Sequence, residues 1–255
     1  MLALGLTSQY GLWIINNESN ELPVGLIPPK VSIVIHPYFF DSVFVDPRFV
    51  WIPTGYFLDR VGGGRHTYLR SSQRRTKCWF MGSVKEKTDT RQKFFASMAQ
   101  VEEEGEDEKA SLCQIDQSSG FGKGLLGYEY ALKMMDVTFA LCPGGYSVET
   151  LRLYEALENG AIPVMVQADY DRGRFDLTHP YNQFVVVPSW PETFDILLDW
   201  LDPAETHELD LLQQRNLDWY DHFKRSVGLH LRSFIVERVF NNTIDVKHKT
   251  TASTS

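Results

Sequence analysis

The sequence predicts an α/β fold. The expectation is a layer of helices on a mainly parallel sheet from Lys77 onward, preceded by an N-terminal part of strands and loops. Three observations carry it. From Lys77 onward, short apolar runs alternate with stretches of helical period. Residues 161–166 (Ala-Ile-Pro-Val-Met-Val) are apolar without alternation, as in a central parallel strand buried on both faces. Before Lys77, the apolar runs are punctuated by Pro28, Pro29, Pro37, Pro47 and Pro53, which favours strands and loops over helices.

In chain order, residues 12–15, 31–35 and 43–52 read as strands. Residues 60–75 are rich in Gly, Ser and Arg, contain Gly62-Gly63-Gly64, and read as a linker or mobile loop. Residues 78–81 form a strand that ends in Gly82-Ser83. Residues 88–100 read as a helix with Phe94, Phe95 and Met98 on its apolar side. The acidic stretch 101–109 predicts a solvated surface turn. A strand at 111–115 and a helix at 125–135 follow. Residues 137–142 form a strand that stops at Pro143-Gly144-Gly145, and 148–158 form a helix with Gly160 placed to end it. Residues 184–187 read as a strand, and 194–201, 205–223 and 229–240 as helices.

The 255 residues are 43% hydrophobic and 23% charged, which excludes a disordered chain. With 25 Lys and Arg against 33 Asp and Glu, the net charge of −8 argues against general affinity for nucleic acid or anionic membrane. Charge is nevertheless uneven. Ten basic residues against two acidic ones lie between Arg60 and Lys93, which fits either a solvated basic loop or a local anion site.

Three cysteines, Cys78, Cys113 and Cys142, lack metal-ligand spacing and make a poor disulfide framework; Cys78 and Cys142 read as buried small hydrophobes. No apolar run of about 18 residues occurs, so no membrane span is expected. Residues 1–6 lack a basic n-region, so no signal peptide is read there. Sequons at Asn17 and Asn241 permit a secretory location without requiring it. The seven histidines form no spaced metal pair; His36 reads as a core or surface residue rather than a base.

The densest chemistry lies in residues 137–166. Pro143 has no N–H to continue a ladder, and Gly144-Gly145 permits close backbone approach to a ligand. Ser147 suits an N-cap, and a helix N-terminus there would suit a diphosphate. Glu149, Arg152 and Glu155 follow at i, i+3 spacing on one helix face. Arg152 could fork onto a phosphate and Glu155 could accept ribose hydroxyls. The same stripe also reads as an ordinary exposed, salt-bridged face. Asp169-Tyr170-Asp171 is a D-x-D, read as a surface turn rather than a metal site, because hard cations need more ligands.

These residues resemble the donor-binding half of exostosin-like glycosyltransferases. The shared pattern is Cys142-Pro143, then Arg152-Leu153-Tyr154-Glu155-Ala156, then Gly160-Ala161-Ile162-Pro163-Val164. In wording, 149–163 is most similar to the ribitol-5-phosphate xylosyltransferases. Trp51-Ile52-Pro53-Thr54-Gly55-Tyr56 and Lys77-Cys78-Trp79-Phe80-Met81-Gly82-Ser83, followed by Arg91, resemble flanking segments of that family. The similarity runs over roughly residues 43–240.

The resemblance implies a two-domain GT-B glycosyltransferase that takes a nucleotide sugar, UDP-linked with xylose as the sugar, and a glycan or glycoprotein acceptor. It implies a Rossmann-like donor-binding domain on a parallel sheet, preceded by a partial N-terminal α/β domain. It implies donor contacts from Gly82, Ser83 and Arg91, a phosphate loop from Gly144, Gly145, Tyr146 and Ser147, with Glu149 in the same motif, Arg152 toward the phosphates and Glu155 toward the ribose. No metal or other cofactor is expected, the catalytic base is unassigned, and the implied setting is the Golgi. A non-catalytic nucleotide- or partner-binding module stays open, as does a fucosyltransferase-like enzyme. The expected organisation is a partial acceptor-side domain at 1–60, a linker or loop at 61–76, a donor domain at 77–240 and a disordered tail at 241–255. About 60 residues are too few for a normal acceptor domain, so the chain reads as one missing its front.

Overall fold

The computed structural model describes residues 11–14 (as backbone), 27–37, 46–61, 68–83, 89–103, 107–118, 124–145, 147–173 and 184–238. The chain divides into two compact units, Met1–Pro53 with Phe223–Ser255, and Thr54–His222.

The smaller unit holds a three-stranded parallel sheet, with β2 (Val31–His36) between β1 (Gly11–Ile14) and β3 (Phe49–Trp51). Ile33, Ile35 and Val50 form its small core, against which Leu231, Phe234 and Ile235 pack. Those three residues fall at i, i+3, i+4 spacing, the apolar stripe of a helix facing a sheet. Trp51 meets Phe223 edge-on at 6.1 Å.

The larger unit holds five parallel strands: β4 (Thr76–Ser83), β5 (Cys113–Ser118), β6 (Val137–Leu141), β7 (Ile162–Val166) and β8 (Val185–Val187). Their order is β5-β4-β6-β7-β8, all parallel. The intervening helices are α1 (Asp89–Glu103), α2 (Asp107–Leu112), α3 (Gly127–Met135), α4 (Leu151–Glu158), α5 (Gln167–Arg172), α6 (Thr193–Leu201) and α7 (Thr206–Val236). β6 and β7 are buried at every position, which is why neither alternates in sequence. Phe80, Phe94, Phe139, Ile162, Val164, Trp190 and Phe194 are among the core residues, with Phe94 4.7 Å from Phe80 and 4.9 Å from Trp190 between ring centroids. The parallel α/β expectation therefore holds.

Several local expectations are corrected. Residues 101–103 continue α1, and 107–112 form α2, where a solvated turn and then a strand from 111 were expected; β5 starts only at Cys113. The expected helices at 205–223 and 229–240 are one 31-residue helix, α7, that runs through Gly228. A glycine in a helix interior costs only about 1 kcal/mol, and Leu212 and Phe223 on one side and Phe234 on the other are held by packing.

Cys78 and Cys113 are not merely small hydrophobes. They are direct partners in the β4–β5 register and form a disulfide, leaving Cys142 as a buried free thiol. Register, not sequence spacing, brought the two sulfurs together.

The expected basic loop also contains a structural residue. Arg74 is 1% exposed and donates to the carbonyls of Leu69 (3.1 Å), Val137 (2.6 Å) and Asn159 (3.2 Å). Burial lowers its pKa to about 10, still charged at neutral pH. Gln213 of α7 accepts from Ser71 N–H and donates to Gly160 O, completing a buried polar knot at the amino ends of β6 and β7. No described helix is long and apolar enough to cross a membrane.

Candidate functional site

The strand order locates the site. β4 is the first strand of the larger sheet, with the second on one side and the third on the other. The winding direction reverses between β4 and β6, and ligands of open α/β sheets bind outside the carboxyl ends at such a switch point. Those ends lead to Gly82-Ser83 and to the loop from Cys142 to Ser147.

α4 reaches across this crevice. Arg152 donates to the carbonyl of Met81 at the end of β4, and its guanidinium carbon sits 4.2 Å over the Phe80 ring. Gly82 leaves room for it, since a Cβ there would lie 2.6 Å from Arg152 Nη2 and 2.7 Å from the Phe80 ring. Nε and Nη1 of Arg152 are buried with no hydrogen-bond partner among the described residues. The guanidinium is thus held at the end of β4 and carries unsatisfied donors there.

The helix does not begin where Ser147 suggested. Ser147 Oγ accepts from Glu149 N–H at 3.2 Å, a local turn that competes with helix, and α4 starts at Leu151 after Thr150 in extended conformation. Nor is the Glu149–Arg152–Glu155 stripe an exposed ion-paired face. Glu149 and Glu155 are 2% and 1% exposed. Glu149 accepts from the Tyr154 hydroxyl at 3.0 Å.

Glu155 lies 3.6 Å from Arg60 Nη1, on the short 3-10 turn Leu58–Arg60. Burial raises the Glu155 carboxyl above its ordinary range; Arg60 pulls it back in part, followed by the donating Tyr130 hydroxyl and by Arg152. Tyr130 and Phe57 flank Arg60, whose guanidinium carbon is 5.0 Å and 5.1 Å from their ring centroids. Cys142 belongs to the same buried neighbourhood. Burial pushes its thiol up to about 12, against the pull of Arg152, so it is no nucleophile at neutral pH.

The loop after β6 is braced from α5, the short helix that follows β7. Gly144 N–H donates to Asp169 Oδ2 at 3.1 Å, and Gly145 N–H to Ser147 O at 2.9 Å. Asp169 is 1% exposed and paired with Arg172 at 2.6 Å. The D-x-D is therefore not a surface turn: it lies in α5, with Asp169 buried and Asp171 turned to Gln167 Nε2 at 2.6 Å.

Of the residues expected at the site, Gly82, Arg152, Gly144 and Gly145 lie at the carboxyl ends of β4 and β6 or on the helix that meets them. Ser83 ends β4 and is buried, as is Arg91 in the first turns of α1. Tyr146 lies outside the described residues. Sequence reasoning missed Arg60 and Tyr130. Arg60 was visible only as one charge in a basic stretch, and nothing in the sequence marked Tyr130. No cluster of metal-ligating side chains occurs among the described residues.

The chain is 27% identical over 174 residues to ribitol-5-phosphate xylosyltransferase 1 of Homo sapiens, a match that covers 62% of this chain and 37% of that protein. It therefore spans well under half of that relative's length. Among solved structures, the calicheamicin glycosyltransferase CalG4 matches with a TM-score of 0.34 and 13% identity, over 82% of this chain and 55% of that one. The spinosyn forosaminyltransferase SpnP matches with a TM-score of 0.33 and 12% identity, over 78% and 55%. Residues 64–240 match the family described as the RXYLT1 C-terminal domain. That match covers the whole β4–β8 sheet and most of the chain, so this protein belongs to the RXYLT1 C-terminal domain family.

Proposed function

We propose that this chain carries the donor-binding domain of a GT-B glycosyltransferase, which transfers a sugar from a nucleotide sugar to a glycan hydroxyl. The observation that supports it most is Arg152, whose partly unsatisfied guanidinium is held at the carboxyl end of β4, beside the switch point of the sheet. The printed name of the human relative, a xylosyltransferase, supports xylose as the sugar, and UDP as its carrier is part of the proposal.

In this reading the glycine positions Gly82, Gly144 and Gly145 let a diphosphate approach the backbone closely. Arg152 supplies positive charge to the departing nucleoside diphosphate, and Arg91 adds to it. Charge placed in advance where charge develops is often a large catalytic contribution. Glu155 accepts the ribose hydroxyls after exchanging Arg60 for them. Ser83, Tyr146, Ser147 and Glu149 complete the donor contacts, no metal takes part, and the acceptor is a glycan or glycoprotein. The Cys78–Cys113 disulfide supports an oxidising, lumenal compartment such as the Golgi, because such bonds persist poorly in the cytosol.

Calorimetric titration with UDP, UDP-xylose and GDP-fucose, with and without EDTA, tests the reading. Binding of UDP and UDP-xylose that is indifferent to EDTA is expected. A chain that binds no nucleotide would refute the donor site, and preference for GDP-fucose would move it to the fucosyltransferase-like class.

A second reading has its own support. The Gly144 and Gly145 amides have partners within the protein, one nitrogen of Arg152 is spent on Met81 O, and Glu155 is ion-paired with Arg60. That suits a module that binds a nucleotide or a partner enzyme without turnover. Nucleotide binding with no sugar transfer to any acceptor would favour it.

A further inference from the structure

Asp169 belongs to a motif that in other settings would suggest a metal, yet its chemistry here is different. Both of its oxygens are engaged: Oδ2 accepts from Gly144 N–H at 3.1 Å, and Oδ1 from Arg172 at 2.6 Å. Asp171 faces away, onto Gln167. The two carboxylates of the motif therefore share no centre.

The placement follows from topology. β6 and β7 are parallel neighbours in register, Leu141 opposite Val164. Gly144 lies three residues beyond the end of β6 and Asp169 three beyond the end of β7, so the loop from one strand meets the first turn after the other. At 1% exposure Asp169 is a buried charge, and such a charge persists only when paired and hydrogen-bonded. Arg172 and Gly144 meet that need. Gly144 in turn cannot carry a side chain freely: a Cβ would lie 3.0 Å from Asp169 Oδ2 and 3.3 Å from its carboxyl carbon. Pro143 has no N–H, and Gly145 N–H is closed on Ser147 O. The amides of 143–145 are thus spent on shape.

We propose that Asp169 is a positioning residue for the donor site. Clamped by Arg172, it fixes the Gly144 backbone so that residues 143–145 meet the diphosphate in one preset form. The proposal rests on the donor reading above, but its structural half can be measured without any nucleotide.

The experiment uses the full chain and three variants, D169A, D169N and R172Q, with two readouts: hydrogen exchange of the Gly144 amide in the free protein, and UDP affinity by calorimetry. Asparagine keeps a carbonyl acceptor for Gly144, and alanine does not. D169A is expected to exchange at Gly144 at least tenfold faster and to bind UDP at least tenfold more weakly. D169N is expected to stay within about threefold of the parent on both, and R172Q to fall between.

Unchanged Gly144 protection in D169A overturns the brace, as does D169N behaving like D169A, which would mean that charge rather than the acceptor matters. If D169A fails to fold, D169N and R172Q decide in the same way. A parent protein that binds no UDP, with exchange behaving as expected, refutes the donor reading and the positioning role together but leaves the brace standing. Loss of UDP affinity on adding EDTA would instead return the motif to a metal.

Discussion

The Cβ that Gly82 lacks would lie 2.6 Å from Nη2 of Arg152. The guanidinium is also confined by Phe80, 4.2 Å beneath it and fully buried. A methyl group at Gly82 would press on both. Gly82→Ala is expected to lower stability by about 1–3 kcal/mol, the scale of overpacking in a dense interior, and to weaken UDP binding with it. Denaturant unfolding and calorimetry on the same preparation check the pair. A variant with parent stability would show that the strand end yields more than its packing implies.

Arg152 carries the donor proposal most directly. Arg152→Ala is expected to weaken UDP binding by about 1.5–3 kcal/mol, the scale of a hydrogen bond to a charged group. Arg152→Lys keeps the charge but not the planar fork, and is expected to recover only part of the loss. Calorimetry on folded variants decides it; unchanged affinity in Arg152→Ala would remove Arg152 from the site.

Glu155 gives the protein a pH signature. Its folded pKa is raised above the ordinary 4.5, chiefly by burial. Between the ordinary and the raised value the folded state holds the extra proton, so stability falls as pH rises through that window and is greatest below it. Glu155→Gln removes this titration. Its melting temperature relative to the parent is expected to improve as pH rises above 4.5, read in parallel thermal scans from pH 4 to 8. Parallel curves for the two proteins would place the carboxyl in an ordinary environment.

The disulfide is a stability element. It closes a separation of 35 residues and ties the edge strand β5 to β4. Its loss, in a Cys78→Ser, Cys113→Ser double variant, is expected to cost about 2–4 kcal/mol. Denaturant midpoints with and without the bond measure it. Equal midpoints would mean that strand pairing alone holds β5.

The sequence by itself determined the class of fold, because hydrophobic period is a local property. Runs such as 137–142 and 161–166 announce central strands, and they became β6 and β7 with shifts of one residue at an end. It also singled out 137–166 as the segment of chemistry, through glycines and charges that a plain core would not contain. Helix ends were less legible. Ser147 has the composition of a cap, but its hydroxyl closes a turn on Glu149 instead. Gly228 has the composition of a stop, but packing on both sides outweighs it.

Only the tertiary structure decided which charges go inside. Glu149 and Glu155 have helix-surface spacing, and nothing local distinguishes them from solvated carboxylates. They are buried beside Tyr154, Arg60 and Tyr130, which offset part of the cost, the last two from other segments of the chain. Cys78 meets Cys113 for the same reason: parallel register sets partners that spacing does not show. Asp169 finds Gly144 because the loop after β6 runs beside the first turn after its parallel neighbour β7. Periodicity is written residue by residue, whereas burial and pairing depend on which elements the sheet brings together.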